Sequence, residues 1–254
     1  MRIYEIYFSP TGGTKKVADA LVKGLGHEST HIELSDNATA TQTITLSEND
    51  IAVIAVPSYS GRVPSVAIQR LSNIKANGAK AIVVAVYGNR AYEDTLVELQ
   101  DATQLSGFVV IGAIAAIAEH SIAHKYATGR PDTNDLSQLK EFSRKINAKL
   151  SKGDSSCPAI PGNRPYRKAS NTSITPVAIT KKCMKCGLCS VKCPVGAIDK
   201  NNPTKVNKEI CISCMRCVSF CPHNARKINS ILQYMINLML KKACSIRKEY
   251  ELYL

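Results

Sequence analysis

Two segments of this chain, CMKCGLCSVKCP from Cys183 and CISCMRCVSFCP from Cys211, follow one pattern, Cys-x-x-Cys-x-x-Cys-x-x-x-Cys-Pro. Each cysteine of the second lies 28 positions after its counterpart in the first, so the segment is an internal duplication. Structural zinc needs only isolated Cys-x-x-Cys pairs, and neither the third evenly spaced cysteine nor the prolines. Three cysteines spaced three apart let one tight loop present thiolates to three corners of an iron-sulfur cubane, while the fourth, three residues further on, points toward the other half. The spacing therefore predicts two 4Fe-4S clusters with crossed ligands. One would use Cys183, Cys186, Cys189 and Cys221, and the other Cys211, Cys214, Cys217 and Cys193. Pro194 and Pro222 fix φ just after the crossed ligands.

Eight of the ten cysteines fall in this window, which argues against a disulfide framework and for thiolates kept in a reducing compartment. Cys157 and Cys244 read as free thiols. The sequence shows neither a stretch of about 20 apolar residues nor a secretory leader pattern, so the expectation is a cytoplasmic protein without a transmembrane segment. The formal net charge of +13 is uneven: residues 1–150 hold 15 basic and 15 acidic side chains, residues 151–254 hold 18 and 5. Such a surplus can mark nucleic-acid binding, but net-negative clusters would offset it, so the expectation is no nucleic acid. Redox protein partners, acidic at the docking surface, fit the remaining excess.

Upstream, residues 1–150 alternate short apolar runs with helix-length amphipathic segments, the mark of a parallel α/β sheet. The predicted strands are Ile3 to Phe8, His31 to Leu34, Ile51 to Val56, Ala81 to Tyr87 and Val109 to Ala118, and the predicted helices are Thr14 to Leu25, Pro64 to Ile74, Ala91 to Leu105 and Thr133 to Leu150. Runs such as IAVIAV and AIVVAV do not alternate, as expected of strands covered on both faces. The fold class is thus α/β, a doubly wound five-stranded parallel sheet of order 2-1-3-4-5, with a second small α+β domain over 177–228. Residues 151–176, with four prolines, read as an extended linker, and 229–254 as an amphipathic helix with Ile231, Leu232, Met235, Leu238 and Met239 on one side. Packing on its own protein is the plain expectation for that helix; docking to a partner or a membrane surface is the alternative.

The first predicted strand runs into Ser9-Pro10-Thr11-Gly12-Gly13-Thr14 and then a helix. Hydroxyls, glycine backbone and a helix N-terminus together make an anion cradle, here neither Walker A nor a dinucleotide fingerprint. In a 2-1-3-4-5 sheet the loop after strand three, Pro57-Ser58-Tyr59-Ser60-Gly61-Arg62, faces the same crevice, with Gly88, Asn89 and Tyr92 beside it. Tyrosines there are suited to flank a flat ring. His120 and His124 mimic a metal-binding pair but have no third ligand nearby. His223 and Arg226 stand where the second repeat departs from the first, and either surface exposure or tuning of a cluster would account for them.

Residues 177–228 resemble the bacterial two-cluster ferredoxins, and residues 1–150 resemble flavodoxins through SPTGGT, PSYSGRVP and YGNRAYED. Taken whole, the chain resembles flavodoxin-ferredoxin fusion proteins. That resemblance implies non-covalent FMN, its phosphate on Ser9, Thr11, Gly12, Gly13 and Thr14, and Tyr59 and Tyr92 near the isoalloxazine. The expected function is electron transfer between the clusters and FMN. The alternatives are a flavin-dependent reductase of a small acceptor (a quinone, a nitro compound or dioxygen), fed by its own ferredoxin domain, and a non-redox binding or sensor role.

Overall fold

The apolar runs become the centre of a sheet because side chains on both of their faces find helices to pack against. The computed structural model describes residues 2–26, 28–169 and 173–254, so the part of the linker expectation at 170–172 lies outside the described residues. In chain order the elements are β1 (Ile3–Tyr7), α1 (Gly13–Leu25), β2 (Ser29–Glu33), a 3-10 turn (Asn37–Thr41), β3 (Ile44–Thr45), β4 (Ile51–Pro57), α2 (Ser65–Leu71), β5 (Ile74–Lys75), β6 (Lys80–Tyr87), α3 (Thr95–Leu105), β7 (Val109–Ile117) and α4 (Thr133–Ser151). Then follow β8 (Val177–Ala178), α5 (Leu188–Val191), α6 (Arg216–Ser219), β9 (Arg226–Lys227), α7 (Ser230–Cys244) and β10 (Glu251–Tyr253).

The central sheet has the order β10-β7-β6-β4-β1-β2. Its five strands from β2 to β7 are parallel, giving the expected 2-1-3-4-5 arrangement of a flavodoxin-like doubly wound sheet. Helix α1 buries Val17, Ala18, Leu21, Val22 and Leu25 along one face, the i, i+4, i+8 spacing that points a stripe inward, and packs beside α4. Helices α2 and α3 pack together, and α3 lies on β6 and β7. Helix α2 is shorter than predicted because Ile74 leaves it to pair with Ile44 in a two-stranded parallel bridge.

The carboxy-terminal expectation needs correction. The helix stops at Cys244, and the chain returns to lay β10 antiparallel along β7 as a sixth strand, with Leu252 opposite Ile114. This tail covers the sheet edge, where unpaired backbone groups would otherwise be exposed. It is pinned by Tyr250 Oη donating to the Ile117 carbonyl (2.7 Å) and by Arg247 bridging Asp132 (2.7 Å) and Asp135 (2.9 Å). The apolar stripe expected to pack α7 also faces outward, with Ile231 73% and Met239 79% exposed. The helix instead docks through Ile236, Leu240 and Cys244 on Ile122, Ala123 and Tyr126, because Tyr126 Oη and Gln233 Nε2 bond across that face and set its rotation.

The proline-rich segment lies along α3 rather than projecting from the domain. Asp94 accepts the backbone N–H groups of Asn163 (2.9 Å) and Arg167 (2.7 Å), Arg164 pairs with Asp101 (2.5 Å), and Ile160 packs on the core. Beneath the tail, Arg130 and Asp135 form a buried pair at 2.5 Å. Removing Arg130 leaves the buried Asp135 with Arg247 as its remaining cationic partner, so Arg130→Met is expected to cost up to about 3 kcal/mol of stability by chemical denaturation.

Candidate functional site

The duplication visible in the sequence is also a duplication in backbone conformation. Left-handed residues recur 28 positions apart, at Lys185 and Ser213, Gly187 and Met215, and Gly196 and Asn224. They turn the chain sharply between ligands, and the short helices α5 and α6 start at Leu188 and Arg216. The fourth cysteine of each repeat accepts an N–H bond on sulfur, Cys193 from Ala197 and Cys221 from Ala225, both at 3.2 Å. The two halves then exchange strands: β8 pairs with β9, and Ile198 bridges Val206.

This exchange moves the fourth cysteines across the module. Cys193 lines one small apolar pocket together with Cys211, Cys214 and Cys217. Burial pushes the Cys214 thiol up to about 12 and Cys217 to about 11, where the Arg226 guanidinium opposes the rise. Four soft sulfur ligands around one apolar hollow fit an iron-sulfur group, whose binding would displace those protons. For the other four, a hydrogen-bonded path joins Cys183 to Cys221: Cys183 N to Ile179 O (3.0 Å), Ile179 N to Ala225 O (2.7 Å), then Ala225 N to Cys221 Sγ (3.2 Å). Cys186 is exposed, whereas Cys193 is buried.

Beside this module lies a cavity of about 1040 Å³. Its walls are the loop after β4 (Ser58 to Pro64), Gly88 after β6, His120 to Ile122 after β7, the Lys208 to Ser213 stretch entering the second repeat, and the inner side of α7. It exceeds the usual ligand-site range of roughly 300–1,000 Å³. Ser60 (φ 52°) and Gly61 (φ 79°) form a tight reversal between Tyr59 and Arg62, whose backbones exchange hydrogen bonds of 2.9 and 3.1 Å. Both central residues are left-handed, as a type I′ turn requires. Arg62 is held by Glu98 through two bonds of 2.6 and 2.7 Å, and Ser58 Oγ lies 2.7 Å from Thr95 Oγ1. Tyr59 packs on the core; burial, together with the nearby Cys214, raises its phenol well above the ordinary value. Tyr59 therefore stands between the cavity and the cysteine pocket.

His120 was not singled out as a cavity residue by the sequence. Its Nδ1 accepts from the backbone N–H groups of Ile122 and Ala123, both at 3.1 Å, so the ring is neutral with its proton on Nε2, and burial pushes its pKa down to about 4. A Cβ on Gly88 would lie 2.5 Å from this ring, so only glycine lets the two loops close. His124 pairs separately with Glu119 at 2.8 Å, and the two histidines share no ligand position.

The first loop sits outside the cavity lining but adjoins it through the end of β7, where a Cβ on Gly13 would meet Ala118 at 3.2 Å. Left-handed Gly12 begins α1 without a side-chain cap, and Ser9 Oγ accepts from Lys15 N at 2.9 Å. Asn89 and Tyr92 also stand outside the lining, held by the tail: Asn89 Nδ2 donates to the Cys244 and Ile246 carbonyls (both 2.8 Å), and Tyr92 Oη lies 2.9 Å from Tyr253 Oη and from Glu251. Pro57 ends β4, and Thr11 and Thr14 flank the α1 start. A separate convergence of ligand-type side chains, Glu5, Asp19 and His31, already contains a cation, because Lys15 Nζ is 2.6 Å from Asp19.

Comparison with known proteins places the module. Residues 182–225 match the 4Fe-4S dicluster domain family. The pyruvate synthase subunit PorD of Methanocaldococcus jannaschii is 37% identical over 68 residues, which are 26% of this chain and 79% of that protein. Among solved structures, a Streptococcus pneumoniae flavodoxin (17% identity, 59% of this chain and 99% of that chain, TM-score 0.42) and a flavodoxin from the domain Archaea (15%, 59% and 99%, TM-score 0.43) are similar. The chain belongs to the 4Fe-4S dicluster family, and so carries an iron-sulfur electron-transfer module. The chain thus joins a doubly wound domain of flavodoxin-like strand order to a ferredoxin-type module. Among the described residues, no helix is long and apolar enough to cross a membrane.

Two expectations follow from this geometry. A Cβ on Gly61 would lie 1.9 Å from Glu93 Oε2, so Gly61→Ala should lower the unfolding free energy by more than about 1 kcal/mol, whereas Ser60→Gly should leave it unchanged or raise it. Burial and the neighbouring Asp19 push the Glu5 carboxyl up to about 8 from 4.5. The folded chain holds this proton more tightly than the unfolded one, so the stabilisation is complete below pH 4.5 and is lost as pH rises through 8. Thermal unfolding of Glu5→Gln should show a shallower loss of stability between pH 5 and 9 than the parent.

Proposed function

We propose that this protein is a cytoplasmic electron carrier that relays electrons between two 4Fe-4S clusters and FMN. The observation that carries this reading is the shared wall: Cys211 lines the same cavity as Ser58 to Arg62, Gly88 and His120, and Tyr59 reaches from that cavity toward Cys214. A flavin seated there would be next to a cysteine-bound cluster without any domain movement. Support for crossed ligation comes from the four-cysteine pocket and from the hydrogen-bonded path joining Cys183 to Cys221.

In this reading residues 1–150 hold FMN, with Ser9, Thr11, Gly12, Gly13 and Thr14 offering backbone N–H groups and hydroxyls to its phosphate at the start of α1. Tyr59 gives the ring an aromatic neighbour, and His120 presents a fixed Nε2–H donor at the cavity. Bound FMN can exchange one or two electrons and each cluster one, which lets the chain join one-electron to two-electron partners. Residues 177–228 face those partners with Lys181, Lys182 and Lys185 around Cys183 and exposed Cys186, an arrangement that favours an acidic docking surface. The likeness to a pyruvate synthase subunit supports a redox enzyme as one such partner.

Iron, sulfide and flavin counts on anaerobically purified protein test the reading. About eight iron atoms and one FMN per chain are expected. Gly13→Val should lose flavin and keep iron, and Cys193→Ser should lose about half the iron and keep flavin. About four iron atoms in the parent, or loss of both cofactors in either variant, would rule out this arrangement.

A further inference from the structure

Helix α7 is apolar on two opposite sides, and the fold buries only one of them. Its inner side, Ile236, Leu240 and Cys244, packs with Ala123 and Tyr126. The rotation that buries those residues leaves Ile231, Tyr234, Met235, Leu238 and Met239 each more than half exposed. At 3.6 residues per turn, positions 231, 235 and 238 lie along one line with 234 and 239 beside it, so the five form a continuous strip down the outer face. Contiguous apolar surface left exposed by folding marks a place where something else binds.

Charge narrows what that something is. Residues 210–248 hold seven basic side chains and no acidic one. Lys227 precedes the helix, Lys241 and Lys242 stand in its last turn, and all three are exposed. None of them has an acidic partner among the described residues. Lys242 continues the line of the strip, four positions after Leu238. Between two copies of α7 packed strip to strip, that ammonium would be buried; at a lipid surface its stem lies along acyl chains while its head reaches a phosphate. Tyr234 Oη apart, the five strip residues offer no hydroxyl, amide or charge, whereas a protein interface makes about one hydrogen bond per 100–200 Å². The helix has 15 residues, about 22 Å, too short to cross a hydrocarbon core of about 30 Å. With its inner side held by the domain, it can only lie along a membrane surface.

We propose that α7 docks this protein on an anionic bilayer surface, with the outer strip among the upper acyl chains and Lys227, Lys241 and Lys242 on lipid phosphates. A helix of this kind binds through the apolar area it buries and through attraction of its cations to anionic headgroups, and α7 offers both on one exposed face. Met239 also belongs to the wall of the large cavity, so docking brings that wall to the membrane surface. Binding of this sort does not depend on which cofactors the cavity and the cysteines hold.

The test is anaerobic co-sedimentation of the full-length, iron-loaded chain with vesicles of phosphatidylcholine alone or mixed with phosphatidylglycerol. The chain contains no tryptophan, so Tyr234→Trp places a single fluorescent reporter on the strip. The parent is expected to bind the mixed vesicles, to bind the neutral ones at least about tenfold more weakly, and to come off as salt rises. Leu238→Gln and the double variant Lys241→Gln/Lys242→Gln should each weaken binding to the mixed vesicles by about tenfold. The emission of Tyr234→Trp should move to the blue on binding. All of these side chains are exposed, so iron content and thermal unfolding should match the parent. The proposal is overturned if the parent stays in the supernatant with the mixed vesicles, if Leu238→Gln binds them as the parent does, or if the tryptophan emission does not move. A concentration-dependent dimer of the free protein that Leu238→Gln disperses would overturn it as well, by giving the strip to a second copy of the chain.

Discussion

The geometry of the site depends on two buried guanidinium groups that fasten the cysteine module to the end of β2. Arg70, from α2, donates to the carbonyls of Leu34 (2.7 Å) and Asp36 (3.0 Å), to Asn37 Oδ1 (2.9 Å) and, across the junction, to the carbonyl of Pro194 (2.7 Å). Arg216 reaches the same turn from the other side through Glu33 and Ser35. A planar fork with five donors can satisfy several fixed acceptors at once, which a lysine cannot. Asn37 adds two bonds to the carbonyls of Val191 and Cys193, at 3.1 and 3.2 Å. Because Cys193 and Pro194 are fixed to the sheet in this way, Cys214 comes to rest beside Tyr59 and Cys211 beside the cavity.

A second clamp acts from the other end of the chain. Left-handed Asn89 uses its amide on two carbonyls of the tail and accepts from Lys248 N at 3.2 Å. One short side chain thus fixes the exit of α7 and the entry of β10. The loop after β6 therefore supports a wall of the cavity rather than lining it along its whole length, and only Gly88, Arg90 and Ala91 of that loop reach the space.

Much of this was legible in the sequence where the determinant is local. Unalternating apolar runs such as Ala81 to Tyr87 can be buried only in a two-sided sheet, and they form β6 as expected. Cysteine spacing fixed the repeat because tight turns between ligands depend on near neighbours. The unexpected features are contacts between residues far apart in the chain. Nothing near Asn89 or Tyr92 indicates that they bind a tail more than 150 positions away, and an apolar stripe at 231, 235 and 238 does not reveal which face of α7 two hydrogen bonds will turn inward. The role of Arg216 was open to discovery by aligning the repeats, since an arginine opposite Leu188 breaks the duplication.

The strand exchange between the repeats bears on how the protein is made. In the crossed ligation proposed above, a ribosome that has synthesised only the first repeat would leave Cys183, Cys186 and Cys189 without their fourth partner and Cys193 waiting for three thiols still to be translated. Neither site would then close until the chain has passed Cys217 and Cys221. Metal insertion would on that arrangement be a late event in biogenesis, and a nascent chain stalled between the repeats would expose four unligated thiols to oxidation.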